Sequence, residues 1–512
     1  MTFRNRRFLG PSSLLILAAL AAGLAPRSDA AARPAAGRAA TPRPNIVLIV
    51  TDDQDLLLGS LDYMPHVRQL LTKRGTFFTN AYVPLSLCCP SRATILTGRY
   101  AHNLQVYNNN PPGGGFPVFR DLGHEETTIG VALQQAGYRT ALIGKYLNEY
   151  PDSDAPSYVP PGWDEWVVPA GGAPYTQFDY TLNLNGSLVE HAGTPADYLG
   201  DVLSRQARNF VTKASADGVP FFLYLTPYSP HKPCTAAPRH AGLFSKVKAP
   251  RTPSFNEADV SDKPEGIREK ALLTKGDIAL LDSLYRRRLQ SLQSVDEAVA
   301  ALITTLEKAG QLDNTFIIFT SDNGFHIGQH RLLGSKYTPY EEDIRIPLIV
   351  RGPGVPAGAK AKALVENVDL APTIAQLAGA TLPVAPDGRS FVPLLKKPQP
   401  PPADWRRMVL LEQFHFIDPP EGAESVREPS DVPGISDHVT HLGLRTSTYK
   451  FVEYATGELE YYDLVKDPFE LKSQAGKLDS DRLRQLAERV DALSACRGST
   501  CRTLEAAPLP RQ

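Results

Sequence analysis

The chain has 512 residues, of which 42% are hydrophobic and 21% are charged, a globular composition that argues against a disordered or fibrous protein. Lysine and arginine number 54 against 55 aspartates and glutamates, so the formal net charge is −1 and nothing indicates a nucleic acid or anionic membrane partner. The length exceeds the usual size of one hydrophobic core, which predicts a large domain and a smaller one.

The N-terminus has the pattern of an export signal. A basic start precedes an apolar run at residues 14–25, which is shorter than the roughly 20 residues of a membrane span. We predict a signal peptide over residues 1–30 and a flexible linker over residues 31–43. The mature protein would then be secreted or extracytoplasmic, in a periplasm or at the cell surface, with no membrane span. A retained membrane anchor is the alternative, and the sequence does not distinguish export routes.

The next segments alternate between strand-like and helix-like patterns. PNIVLIVTDD at residues 44–53 is aliphatic throughout, which is typical of a strand buried on both faces. Similar runs follow helical stretches at residues 140–146, 220–229 and 314–324, and RIPLIVRGPG at 345–354 is another. Helix then strand, repeated, predicts an α/β fold with a large, mostly parallel (mixed) sheet flanked by helices.

Polar residues follow four of these predicted strands. They are Asp52 and Asp53, Lys145, His231, and Asp322 with Asn323, in chain order. Ligands of such sheets bind beyond the carboxyl ends of the strands, so we expect these groups to share one rim. Oxygen ligands suit calcium or magnesium, and adjacent carboxylates repel unless a cation lies between them. A helix cap or a turn is the alternative for each pair taken alone.

Four basic or proton-donating side chains add to this rim: Arg92, Lys145, His231 and Lys336. Each alone could be an ordinary surface or loop residue. Placed around a cation, they would hold a tetrahedral oxyanion and stabilise charge developing on it. Composition and spacing leave open whether that anion is a phosphate or a sulfate.

The C-terminal part changes character after a proline-dense stretch at residues 383–402. Short strand-like pieces and then an amphipathic stretch predict a smaller antiparallel sheet with a C-terminal helix, over residues 381–512. Cys496 and Cys501 are close enough for a small disulfide loop, whereas Cys234 has no evident partner. A disulfide between the adjacent residues Cys88 and Cys89 would need a strained ring, so these thiols require another explanation.

Two motifs carry a resemblance to a known family. CCPSRATILTGR at residues 88–99 resembles the sulfatase signature C-x-P-S-R-x-x-x-L-T-G-R at every specified position. GYRTALIGK at residues 137–145 resembles the second signature of that family, G-Y-x-T-x-x-x-G-K. The likeness extends from NIVLIVTDD to YYDLVKDPFE, and it implies an alkaline-phosphatase/sulfatase-like fold with its catalytic domain at residues 44–380.

The resemblance also implies a cofactor and a modified residue. Cys88 would be converted to formylglycine (3-oxoalanine) by a formylglycine-generating enzyme that reads the surrounding motif, while Cys89 occupies a variable position. One divalent cation, calcium with magnesium as the alternative, would be bound by Asp52, Asp53, Asp322, Asn323 and the modified Cys88. Arg92 would stabilise the formylglycine hydrate and its surroundings, and Lys145 and Lys336 would bind the sulfate oxygens. His231 would assist at the leaving group or at the sulfated intermediate.

Within the family, the likeness is to N-acetylglucosamine-6-sulfatases and related heparan-type enzymes, carried by GKYLNEY at residues 144–150 among other segments. Many sulfatases carry a histidine where this chain has Leu147, so Asn148 is the candidate for a neighbouring polar contact. His326 is a candidate substrate contact, with a structural loop histidine as the alternative. The expected substrate is a sulfated glycan or a small sulfate ester. The remaining alternatives are a phosphonate monoester hydrolase or phosphodiesterase of the same superfamily, and an inactive glycan-binding protein.

Overall fold

The computed structural model describes residues 43–414 and 440–509, so the predicted signal peptide lies outside the described residues. The strands are β1 (Asn45–Thr51), β2 (Thr76–Phe78), β3 (Ala81–Tyr82), β4 (Arg139–Gly144), β5 (Glu165–Gly172), β6 (Tyr180–Leu184), β7 (Ser187–His191), β8 (Phe221–Thr226), β9 (Thr315–Ser321), β10 (Leu348–Arg351), β11 (Ala359–Ala361), β12 (Val365–Glu366), β13 (Met408–Gln413), β14 (His441–Thr446), β15 (Tyr449–Tyr454) and β16 (Leu459–Asp463). The α-helices are α1 (Cys88–Thr97), α2 (Ala101–Leu104), α3 (Gly115–Asp121), α4 (Ile129–Gln135), α5 (Leu199–Ala216), α6 (Glu265–Arg268), α7 (Lys275–Lys308), α8 (Glu341–Ile344), α9 (Leu370–Ala378), α10 (Val392–Lys396), α11 (Ser480–Ser494) and α12 (Ser499–Ala506).

Ten strands form the main sheet, in the order β11-β2-β10-β9-β1-β8-β4-β5-β6-β7. The central strands β9, β1, β8, β4 and β5 run parallel to one another, as the aliphatic runs predict. Antiparallel pairs of β10 with β9 and of β5 with β6 flank this centre. The predicted large, mostly parallel (mixed) sheet flanked by helices is therefore confirmed.

The strand β10 runs opposite to its neighbour β9, unlike the other predicted core strands. A parallel partner would need a crossover back to the start of β9. The connection at residues 322–347 instead contains only the short helix α8, and the chain re-enters the sheet from the edge where β9 ended. This connection carries Asn323, His326 and Lys336, so the reversal leaves a long loop at the predicted rim.

Both faces of the main sheet are covered, because alternate residues of β1 enter two separate hydrophobic clusters. Ile46, Leu48 and Val50 pack in the cluster that includes residues of α1, α4 and α9. Val47 and Ile49 pack in the cluster that includes residues of α5 and α7. A strand buried on both sides has no room for polar side chains along its length, so they occur where it ends.

Strands β12 and β3 form a two-stranded sheet, and a separate four-stranded sheet is antiparallel, in the order β13-β14-β15-β16. Apolar residues of α11 pack against it, including Leu486 and Val490, in one cluster with Leu444 and Phe451. A disulfide joins Cys496 and Cys501 beside this cluster. The small antiparallel sheet with a C-terminal helix is thus confirmed, while its boundary with the larger part stays a prediction.

One buried arginine connects the segment before β13 with β12 and with α12. Arg406, just before β13, is buried together with three carboxylates that it contacts at 2.7 to 3.0 Å. These are Glu366, Asp369 and Glu505. Buried charges are tolerated when they are paired in this way, and the small sheet is fixed by ion pairs as well as by apolar packing.

Candidate active site

The predicted rim residues lie at one edge of the main sheet. Strands β9, β1, β8 and β4 are consecutive neighbours and parallel, so their carboxyl ends point the same way. Asp52 follows β1, Asp322 follows β9 and Lys145 follows β4 directly, whereas His231 lies five residues beyond the end of β8. The structure brings these groups within contact distance of one another.

Cys88 is the first residue of α1 and is fully buried. Its Sγ lies 3.5 Å from Oδ1 of Asp52 and accepts a hydrogen bond from Nζ of Lys336 at 2.7 Å. Burial raises the pKa of this thiol well above its ordinary value, although Lys145 and Lys336 act in the opposite direction. An unmodified thiol here stays protonated near neutral pH and is a weak nucleophile.

A compact set of ligand atoms surrounds Cys88. One atom each from Asp52, Asp53, Cys88 and His231 lies within 4.8 Å of the others, close enough to hold a metal ion. The side-chain amide of Asn323 donates to Oδ1 of Asp53 at 2.7 Å. The amide oxygen Oδ1 of Asn323 is buried and has no hydrogen-bond partner in the part of the chain that the structure describes. An orphaned oxygen beside carboxylates fits a hard cation such as calcium or magnesium.

Asp322 is held by groups on three segments. Its Oδ1 accepts from the backbone N–H groups of Asp53 and Asn323, both at 2.9 Å. Its Oδ2 accepts a hydrogen bond from Nε of Arg92 at 2.9 Å, and a terminal guanidinium nitrogen of Arg92 forms an ion pair with the same oxygen at 2.8 Å. Arg92 also donates to the carbonyl of Lys145 at 3.1 Å. The arginine of the signature helix therefore ties the end of β9 to the end of β4.

Two lysines complete the cluster, each paired with a different carboxylate. Nζ of Lys145 lies 2.8 Å from Oδ2 of Asp52, and Nζ of Lys336 lies 2.7 Å from Oδ1 of Asp53. Both lysines are almost completely buried. The ammonium group of Lys336 contacts Cys88 and that of Lys145 contacts Asp52, which itself lies beside Cys88, so both could hold the oxygens of a tetrahedral anion there.

The carboxyl groups of Asp52, Asp53 and Asp322 differ in their pKa. Burial disfavours charge on Asp52 and Asp53, but Lys145 acting on Asp52 and Lys336 acting on Asp53, with His231 and other cations, keep the pKa of both below its ordinary value. Burial, with repulsion from the other two carboxylates, raises the pKa of Asp322 to about 6. Three buried carboxylates share the nearby positive charges, and a divalent cation would relieve their repulsion.

The other residues of the signature have structural contacts of their own. Cys89 is buried in the apolar cluster on the α1 side, and its N–H donates to Oδ1 of Asn109 at 2.9 Å. The Ser91 hydroxyl donates to the carbonyl of Asp322 and accepts from the Asn367 amide at 2.8 Å. The two adjacent thiols therefore point to different environments, one in the site and one in the core.

His326 and Asn148, the two predicted substrate contacts, are both buried. Nδ1 of His326 lies 2.9 Å from both carboxylate oxygens of Asp343, and its Nε2 has no hydrogen-bond partner among the described residues. The carbonyl of Asn148 accepts from the N–H of Phe116 at 2.7 Å. Leu147, at the position where many sulfatases carry a histidine, packs in an apolar cluster. The substrate contacts of His326 and Asn148 stay predictions.

Sequence reasoning missed Arg288, a buried residue of α7 that contacts the backbone beneath the site. The available signal was the run YRRRLQ, where three consecutive arginines cannot all face solvent on an amphipathic helix. It also missed Asp55, which contacts Arg288 at 3.2 Å.

The fold and this cluster define an α/β protein with a buried acidic cluster that could hold a cation, a buried cysteine at a helix N-terminus and two buried lysines beside it. That is the layout of a hydrolase for anionic esters. The family model described as Sulfatase matches residues 44–380, and that of the N-sulphoglucosamine sulphohydrolase C-terminal region matches residues 328–495. The chain belongs to the sulfatase family.

Known relatives agree with this assignment. The N-acetylglucosamine-6-sulfatase of Capra hircus is 37% identical over 484 residues, covering 90% of this chain and 85% of the relative. A putative extracellular sulfatase Sulf-1 homolog of Caenorhabditis elegans is 42% identical over 378 residues, covering 72% of this chain and 52% of the relative. A solved structure in complex with its substrate, D-glucosamine-2-N,6-O-disulfate, has a TM-score of 0.71 at 26% identity and covers 88% of this chain and 97% of that one.

Within the described ranges, 43–414 and 440–509, no helix combines the length and apolarity that a membrane crossing requires.

Proposed function

We propose that this chain releases sulfate from a sulfated sugar, the 6-O-sulfate of N-acetylglucosamine or glucosamine residues, with aryl sulfates as surrogate substrates. The observation that carries the proposal is the position of Cys88, at the start of α1 and between Lys336 and the carboxylate of Asp52. The names of the relatives and the glucosamine disulfate bound in the similar structure support the sugar.

The cation proposed for this site is calcium, with magnesium as the alternative. Asp52, Asp53, Asp322, Asn323 and the modified Cys88 would hold it. The cluster of Asp52, Asp53 and Cys88 and the orphaned Oδ1 of Asn323 support four members of this donor set, because hard cations take oxygen ligands. When bound, the cation would neutralise carboxylate charge and act as a Lewis acid toward the sulfate ester.

The proposed nucleophile is formylglycine at position 88, made from Cys88 by a formylglycine-generating enzyme. A hydrated aldehyde supplies two hydroxyls on one carbon, so that one can attack sulfur and the other can later expel sulfate. The raised pKa of the unmodified thiol supports the need for such a conversion. The N-terminus of α1 favours negative charge developing at this position.

The surrounding side chains then bind the anion and move protons. Lys145 and Lys336 would hold the sulfate oxygens, while Arg92 fixes the carboxylate of Asp322. Nδ1 of His231 lies 2.7 Å from the carbonyl of Lys232, which can only accept, so this nitrogen carries a hydrogen. Nε2 of His231, 3.7 Å from Oδ2 of Asp53, is therefore the nitrogen that would exchange a proton with the leaving oxygen.

We further propose that the protein is exported and works outside the cytoplasm, in line with the pattern of its N-terminus and with the extracellular sulfatase among its relatives. The proposed organisation keeps a catalytic part at residues 44–380 and a smaller part at residues 381–512.

The test is a panel of 6-O-, N- and 2-O-sulfated glucosamine sugars together with matched aryl sulfate and aryl phosphonate esters. Sulfate release is measured with and without a chelator, after co-expression with a formylglycine-generating enzyme. We expect release from the 6-O-sulfated sugar, loss of release on chelation, and recovery with calcium. A strong preference for the phosphonate, or sugar binding without sulfate release, would contradict the proposal.

Mass spectrometry of the peptide at residues 88–99 tests the nucleophile. Active enzyme should have lost the Cys88 thiol and gained an aldehyde, while Cys89 keeps its thiol. Cys88→Ser should abolish sulfate release, and Cys89→Ala is the matched control that should keep it. Finding the Cys88 thiol intact throughout active enzyme would refute the formylglycine assignment.

A further inference from the structure

Arg288 differs from the two arginines before it in the run YRRRLQ of α7. Its side chain is completely buried, whereas Arg287 is exposed and Arg286 is half-buried. The guanidinium lies 3.9 Å over the ring of Phe325. Taking a guanidinium out of water is costly unless it is paired and hydrogen-bonded, and an apolar side chain would fill the same space without that cost. Its position therefore calls for a role other than filling space.

The guanidinium contacts three segments that carry site residues. One terminal nitrogen donates to the backbone carbonyl of Asp53 at 2.5 Å and to the carboxylate of Asp55 at 3.2 Å. The other terminal nitrogen lies 3.5 Å from the carbonyl of Pro230, the residue before His231. The stacked ring of Phe325 lies two residues after Asn323. A single side chain thus joins the segments that follow β1, β8 and β9.

The backbone at Asp53 needs such support. Its φ is 65°, in the left-handed region that residues other than glycine rarely adopt. This turn directs the Asp53 carboxylate toward Lys336 and Asn323. A charged donor on the Asp53 carbonyl holds the turn in place, and Asp55 balances the buried positive charge.

We propose that Arg288 is a positioning residue that fixes the Asp53 carboxylate and the His231 loop in the geometry required for cation binding and sulfate transfer. The proposal rests on the proposed function, because it concerns the same site. The planar guanidinium reaches acceptors in two directions, whereas the ammonium group of a lysine is a single point charge on a flexible stem. Charge alone at this position should therefore not replace the arginine.

The test compares Arg288→Lys, Arg288→Met combined with Asp55→Asn, and Arg287→Met as the exposed control. The double variant removes both buried charges, so that neither is left unpaired. For each protein the measurements are the melting temperature, the dissociation constant for calcium by calorimetry, and kcat and KM for an aryl sulfate. Loss of an interaction that orients a metal ligand typically lowers metal affinity or activity by about 10- to 100-fold.

We expect the lysine variant to fold and to bind calcium about tenfold more weakly or worse, with kcat reduced more than KM is raised. The control should match the wild type. Calcium dissociation constants and kcat values within twofold of the wild type in folded Arg288→Lys or in the double variant would overturn the inference, even if the melting temperature falls. If the wild type itself neither binds calcium nor releases sulfate, the proposed function fails instead.

Discussion

Replacing Lys336 by methionine separates anion binding from cation binding in this site. The ammonium group of Lys336 bonds to the Cys88 sulfur and to Oδ1 of Asp53, both at 2.7 Å, and it is buried where water cannot replace it. Methionine keeps much of the length and apolar volume of the stem while removing the charge. Negative charge developing on sulfate oxygens beside position 88 then loses one preorganised donor.

The size of the effect follows from that loss. Removing one preorganised donor to a developing oxyanion lowers kcat by about 10²- to 10³-fold, or about 2.7–4 kcal/mol of transition-state stabilisation. The affinity for calcium, in contrast to kcat, should stay the same or rise. Lys336 now bonds to an oxygen of Asp53, a proposed cation ligand, and its positive charge repels a divalent ion. The variant should therefore bind calcium at least as tightly as the wild type.

The assay measures kcat and KM with an aryl sulfate and with a 6-O-sulfated glucosamine, and the calcium dissociation constant by calorimetry. Both substrates should be affected alike, because Lys336 is placed to meet the sulfate and not the sugar. Lys308→Met, at an exposed position near the end of α7, is the control. A kcat within tenfold of the wild type, or calcium affinity lost in parallel with activity, would refute this role.

Three further predictions concern stability. Arg406→Met should lower the free energy of unfolding by about 3–5 kcal/mol in a denaturant titration, because it leaves buried carboxylates unpaired, while the exposed Arg407→Met should change it far less. Replacing Cys496 and Cys501 by serine should cost about 2 kcal/mol for so short a loop and leave kcat unchanged; an unaltered unfolding midpoint would contradict this. Burial raises the pKa of Glu342 to about 8 from 4.5. Between these pH values the folded state keeps a proton that the unfolded state releases, so the free energy of unfolding should fall as the pH rises from about 4.5 to about 8. Glu342→Gln should flatten that part of the pH profile, and an equally steep profile in this variant would count against the assignment.

The main sheet was predictable because its central strands are buried on both faces. Runs such as NIVLIVT are continuous aliphatic stretches, and helical stretches separate the runs that form β1, β4, β8 and β9. The direction of β10 was not predictable from its own residues. It depends on whether the connection after β9 crosses back over the sheet or stays at the rim. An aliphatic strand has the same residue pattern in both cases.

For the site, the residue types and their places in the chain were visible, but their contacts were not. Asp52 and Asp53 are neighbours in the sequence, yet Asp52 bonds to Lys145 while Asp53 bonds to Lys336. Which lysine meets which carboxylate depends on the left-handed turn at Asp53 and on the order of the strands. Arg288 escaped notice because the run of three arginines indicates that one of them is buried but does not show which backbone carbonyls it contacts.

The sequence by itself determined the class of fold, the signature around Cys88 and the set of charged groups at the strand ends, since these follow from local patterns of burial and from a long specific motif. Only the tertiary structure decided how those groups pair and which buried arginine contacts the backbone beneath them. Burial and pairing are set by segments far apart in the chain, and their mutual distances exist only once the sheet has formed.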